Sequence, residues 1–194
     1  NDERLLLVAN PGMGKVSAFN FAYSIAKGEN IVFLGGDDVL PKESLELRVK
    51  ALADVTSRGV RACAFGQLTM ISEDSRFNGI KKPKSGNRGC KSGGTLILNK
   101  KMADVVFPIP VQLPNEDTWT KICVQYFCEE VVDVPHVVLL YRIHGGNSHS
   151  RYMDFANINE FFHLRYLAYD FFSNRYKEEL SDAAIREIQI TSKA

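Results

Sequence analysis

At 194 residues, with 45% hydrophobic and 24% charged content, the chain is about one globular domain long and can bury a sizeable core. Lys+Arg 24 against Asp+Glu 23 leaves a formal charge of +1, which argues against a dedicated nucleic-acid binder. No stretch of these residues approaches the roughly 18 consecutive apolar positions of a membrane-spanning helix.

The chain opens directly into Leu5-Leu6-Leu7-Val8-Ala9, an apolar run ended by Asn10-Pro11-Gly12. The run predicts a short, fully buried parallel strand. A strand this early, with no unit before it, suggests that sequence upstream of residue 1 has been cut away. Ser17 to Lys27 carries Phe19, Ala22, Tyr23 and Ala26 at helical spacing, with Gly28 placed to end the helix. Ile31 to Leu34 is the next predicted strand and runs into Gly35-Gly36-Asp37-Asp38. Pro41 marks a helix start, followed by Leu45, Val49 and Leu52 as its apolar stripe. Arg61 to Phe65 is a third strand. This alternation predicts an α/β domain with a parallel sheet.

Ser72 to Ser92 is polar and reads as a mobile surface loop, of a length that is usually functional or disordered. Gly93 to Leu98 returns to strand. Asn115-Glu116-Asp117 opens a helix through about Cys128. Val131 to Tyr141 is a strand pattern broken at Pro135. After Arg142-Ile143-His144-Gly145-Gly146-Asn147 the remainder is helical and aromatic, with Phe155, Phe162, Tyr166 and Tyr169 near one face. That face predicts core packing or a homodimer contact, with contact to a membrane surface as the sharper alternative. Cys63, Cys90, Cys123 and Cys128 form no CxxC pair and read as reduced thiols of a cytoplasmic protein, with Cys123 and Cys128 in the core.

Three constellations carry candidate chemistry. Asp37-Asp38 lies at the carboxyl end of an apolar strand, where ligands bind in open α/β sheets. Acidic oxygens there suit Mg²⁺ or Mn²⁺, which in turn suit a diphosphate. The bland alternative is an acidic cap for the helix after Pro41. Glu116-Asp117 at the mouth of a helix can supply a general base, or simply cap it. Arg142 and His144, after a strand, can meet a phosphate or a metal, or stand in solvent.

In their order and spacing these segments resemble family 2 glycosyltransferases of the GT-A type over roughly residues 3 to 150. Gly28-Glu29-Asn30-Ile31-Val32-Phe33-Leu34-Gly35-Gly36-Asp37-Asp38 looks like the stretch leading to that family's DxD motif. Gly93-Gly94 looks like its small-residue strand near the acceptor site, Glu116-Asp117 like its ED motif, and Arg142-Ile143-His144 with Asn147-Ser148 like its closing segment over the donor phosphates.

The resemblance implies a GT-A (Rossmann-like) mixed sheet flanked by helices, truncated at its N-terminus. The glycosyltransferase domain would span 1–150, with a helical extension over 151–194 packed on it. It implies transfer of a sugar, with inversion, from a nucleotide-sugar donor (UDP-sugar by default) to a saccharide or lipid-linked acceptor. Asp117 is then the catalytic base and Asp37 the metal ligand. Asp38, Gly93, Gly94, Glu116, Arg142 and His144 become substrate-binding residues. Mn²⁺ or Mg²⁺ is the implied cofactor. Polysaccharide or glycoprotein assembly at the inner face of a membrane is the implied setting.

Two departures stand out: Gly35 occupies the place of the first DxD aspartate, and the family's opening β-α-β unit is absent from these residues. Two rival readings remain. Ala9 to Val16 resembles a P-loop with Lys15 as its phosphate lysine, but it lacks the first Gly and the Ser or Thr after the Lys. A catalytically inactive GT-A-like binding domain is the other.

Overall fold

The computed structural model describes residues 2–145 and 155–192, the side chains of 155–161 excepted. Its five strands form one mixed sheet. β2 (Ala62–Ser72) is the spine: β4 (Leu96–Asn99) pairs antiparallel with its first residues and β3 (Lys81–Lys82) with its later ones. β5 (Glu130–Ile143) runs parallel to β2 along its whole length, and β1 (Asn30–Val32) adds antiparallel to β4. β1, β2 and β5 therefore point one way and β4 the other. One edge of the sheet collects the loop after β1, the end of β5 and the turn before β4. This is the expected α/β class, with β4 reversed among the parallel strands.

The period-2 pleat explains the layering. On β4, Leu96 and Leu98 belong to one core cluster while Ile97 belongs to another. On β2, Cys63 and Phe65 fall on the first side, Ala62 and Ala64 on the second. The second side is covered by α2 (Ser44–Ser57) through Leu52 and Val55. The first side is covered by α1 (Gly14–Ile25), α3 (Lys100–Val106), α4 (Asp117–Phe127), α5 (Phe155–Arg175) and α6 (Asp182–Ser192). Trp119 is wholly buried there, donates its indole N–H to Val106 O at 2.7 Å and meets Phe172 edge-on at 5.9 Å.

Several expectations are corrected. Residues 5–9 form no strand, and Leu7 is 98% exposed. Apolar character alone does not hold a strand: no neighbouring backbone pairs with this run among the described residues. The predicted stripe of α2 is rotated, with Leu45 and Val49 exposed and Ser44, Arg48, Leu52 and Val55 facing the sheet. Hydrogen bonding turns it: the Ser44 hydroxyl donates to Val138 O at 2.6 Å, and the Arg48 guanidinium donates to Gly94 O at 3.0 Å, Leu96 O at 3.2 Å and Val138 O at 2.7 Å. The 72–92 segment is not all loop, since β3 folds back on β2. Gly93–Thr95 is a 3-10 turn rather than strand.

β5 is not broken at Pro135. The ladder with β2 slips there instead, between Phe65↔Asp133 and Gln67↔Val137, so the missing N–H falls in a bulge. On α5 the core is met by Ala168 and Phe172, while Phe162 and Tyr166 are exposed; the Phe155 side chain lies outside the described residues. All four cysteines are free. Cys123 is buried as expected, Cys63 is buried as well, and Cys128 is only half-buried. Among the described residues no helix is long and apolar enough to cross a membrane.

Candidate active site

The loop after β1 crosses to β5, where Val39 and Leu140 form an isolated antiparallel bridge. That crossing brings the first and third constellations together. Asp37 Oδ2 lies 3.0 Å from His144 Nε2, and Arg142 Nε–H donates to Asp37 O at 2.8 Å. The backbone N–H of Arg142 donates to Asp38 Oδ1 at 2.9 Å. The aspartates thus do not cap α2, whose N-cap is Glu43. His144 holds the Asp37 carboxyl below its ordinary range. Burial pushes Asp38 up, partly offset by the Arg142 N–H. Burial, and then the charges of Asp38, Asp37 and Asp117, raise the nearby Tyr141 phenol.

Glu116 occupies the N-cap position of α4 but makes no side-chain cap bond. Its nearly buried carboxylate instead pairs with Lys15 of α1, Nζ to Oε1 2.8 Å. The buried charge is thereby matched across the site. Glu116 Oε2 has no hydrogen-bond partner. Asp117, one residue on, is 39% exposed and has Arg165 Nη2 at 3.9 Å from its Oδ2.

The turn before β4 packs against these carboxylates. A Cβ on Gly93 would lie 3.2 Å from Asp117 Oδ1, and one on Gly94 would lie 2.7 Å from Leu139 Cδ2. A side chain at 94 would press on the buried Leu139. A Cβ at Gly35 would lie 2.9 Å from Asp37 Oδ1, so a side chain there would crowd the aspartate that is kept.

Two cavities meet at this centre. One, about 510 Å³, is lined by Lys15, Asp37, Asp38, Lys82, Gly94 and Tyr141. The other, about 1070 Å³, is lined by Lys91, Thr120, Lys121, Arg165, Tyr166 and Tyr169. Phe33, Ser92, Gly93, Glu116 and Asp117 belong to both walls. The 72–92 segment reaches both cavities, through Lys82 at its middle and Lys91 near its end.

The structure thus brings together Asp37, Asp38, Gly93, Gly94, Glu116, Asp117, Arg142 and His144. Asn147 and Ser148 lie outside the described residues. Lys15, considered only as a P-loop lysine, and Thr120 escaped the sequence reading. Thr120 carried a signal all the same, standing one helical turn after Glu116 on the same face.

The family model for glycosyl transferase family 2 matches residues 1–108, more than half of the 194-residue chain. The chain belongs to that family. No curated protein and no solved structure matches it. The matched span holds Asp37, Asp38, Gly93 and Gly94. Glu116, Asp117, Arg142 and His144 lie beyond it and enter the site on geometry. The P-loop reading fails on three counts: the family is another one, residues 5–9 supply no strand before the loop, and Lys15 is paired with Glu116.

Among the described residues no three His, Cys, Asp or Glu side chains converge as a metal cage. Mg²⁺ and Mn²⁺ at diphosphate sites need less than a cage: one or two protein ligands, with the other positions on phosphate oxygens and water. Asp37, a carboxylate in the wall of the smaller cavity, and His144, an imidazole in contact with it, fit that smaller demand.

Proposed function

We propose that this chain transfers a sugar from a nucleotide-sugar donor, a UDP-sugar by preference, to a saccharide or lipid-linked acceptor with inversion. One observation carries the reading: Asp117 stands in the wall shared by two cavities, one lined by Asp37, which pairs with His144, and the other open to a second substrate.

In this scheme the donor diphosphate lies in the smaller cavity, where Lys15 and Lys82 provide positive charge. Asp37 and His144 would hold the divalent cation, Mn²⁺ or Mg²⁺, which when bound neutralises charge on the leaving diphosphate. Asp38, fixed by the Arg142 N–H, holds the crossing loop against β5. Gly93, having no side chain, leaves room beside Asp117 for the reacting sugars. Asp117 accepts the proton of an acceptor hydroxyl as that oxygen attacks the anomeric carbon from the side opposite the leaving diphosphate, which inverts the centre. Arg165 stands beside Asp117, Nη2 at 3.9 Å from its Oδ2. Polysaccharide or glycoprotein assembly on the cytoplasmic side of a membrane is the setting this chemistry suits.

The test is Asp117→Asn. Removal of a general base lowers turnover by about 10²–10⁴-fold. Donor titration should be unchanged, because the amide keeps the shape of the wall. Retained turnover would remove Asp117 from the role of base.

A further inference from the structure

The larger cavity has chemistry of its own that specifies what enters it. Three features converge there. The first is a pair of buried polar atoms with nothing to bond. Glu116 and Thr120 are each only 4% exposed, sit one helical turn apart on α4 and line this cavity. Glu116 Oε2 and Thr120 Oγ1 both lack a hydrogen-bond partner, and neither reaches the other. Both atoms lie just beneath the cavity wall, so the two side chains give that wall a polar backing. The second is aromatic: Tyr166 and Tyr169 of α5 stack at 5.7 Å and 19°, in a wall that also includes Phe162. Such rings suit the C–H face of a pyranose. The third is charge. Glu116 is already neutralised by Lys15, while Lys91 and Lys121, both exposed, make no ion pair among the described residues.

Rings in the wall and ammonium groups at the rim describe one class of ligand. We propose that the 1070 Å³ cavity binds the acceptor as an anionic saccharide, a sugar carrying a carboxylate or phosphate. Its ring faces meet Tyr166 and Tyr169, and its anionic group meets Lys91 and Lys121. The proposal rests on the glycosyltransferase reading above only for the word acceptor. The cavity's preference for an anionic sugar stands on its own residues.

The experiment is calorimetric titration of the whole chain with three matched probes: cellobiose, cellobiouronic acid and cellobiose 6-phosphate. At least one anionic probe should bind about tenfold tighter than cellobiose, the scale of a charge-assisted hydrogen bond. The carboxylate and phosphate arms show which anion is preferred. The surface variant K91E/K121E should erase the discrimination while leaving cellobiose affinity in place.

Equal affinity for the three, discrimination that survives K91E/K121E, or no binding of any probe would each overturn the proposal. A parallel titration with UDP and Mn²⁺ separates the two readings. UDP binding without anionic preference defeats this inference alone. Anionic preference without UDP binding defeats the donor reading and leaves this cavity as a saccharide site.

Discussion

On the α2 side of the Gly93–Gly94 turn, buried polar groups are spent on the fold. Arg48 is fully buried and reaches three backbone carbonyls, and Ser44 adds its hydroxyl to one of them. Within the guanidinium only Nε lacks a partner. On the α4 side of the same turn, Glu116 and Thr120 are buried almost as deeply, yet one carboxylate oxygen and one hydroxyl lie beneath the cavity wall with nothing to bond. The contrast separates two conditions of interior polarity. Where donors and acceptors are matched within the chain they hold elements together; where they are left unmatched beside a cavity they cost stability.

The contrast can be broken by substitution, most strongly on the satisfied side. Arg48→Met removes the donors to Gly94, Leu96 and Val138 while keeping apolar bulk. A loss of about 3 kcal/mol in chemical denaturation is expected, the cost of stranding buried carbonyls. A loss under about 1 kcal/mol would mean that this seam holds little. Burial already presses on this guanidinium, lowering its pKa to about 10.

The aspartate pair gives a subtler effect. The folded Asp37 carboxyl titrates below its ordinary range because of His144, so its contribution to stability is fully present above the unfolded value. It fades as pH falls through the folded one, in the acid range below about pH 4. Asp38 has the opposite sign: its folded pKa is raised by burial, so ionising it opposes folding, and that penalty is relieved as pH falls through the folded value. Carboxyl-carbon NMR titration should show Asp37 below Asp38, and His144→Ala should move Asp37 upward. An unmoved Asp37 would deny the pair.

The smallest effect on the fold is expected on the open side. Thr120→Val removes a hydroxyl that bonds nothing, so folding stability should stay within about 0.5 kcal/mol of the parent or rise. A loss of 2 kcal/mol would show that the hydroxyl is satisfied inside the fold, and the contrast would collapse.

Local forces were legible in the sequence and long-range ones were not. The run into Asp37-Asp38, the helix opened by Glu116-Asp117 and the strand ending at Arg142 could be read from periodicity and punctuation, because those signals lie within a few residues of one another. The fate of Leu5 to Val8 could not: a strand needs a neighbour, and neighbours are a property of topology. The buried face of α2 was misread because Arg48 counts as polar in any pattern, while its real partners, Gly94 and Val138, lie 46 and 90 residues away. For the same reason the Asp37–His144 contact, across 107 residues, and the Lys15–Glu116 pair were invisible until the sheet order was known. Only residue types and order were available from the site, and its two-cavity layout emerges from the reversed strand β4.

The most direct test of the central claim is calorimetric titration of this chain with UDP, GDP and ATP, with and without Mn²⁺, in the parent and in Asp37→Ala. The account predicts metal-dependent binding of UDP, lost in Asp37→Ala and untouched by Thr120→Val. Metal-independent binding that survives Asp37→Ala, or silence toward all three nucleotides, would contradict it.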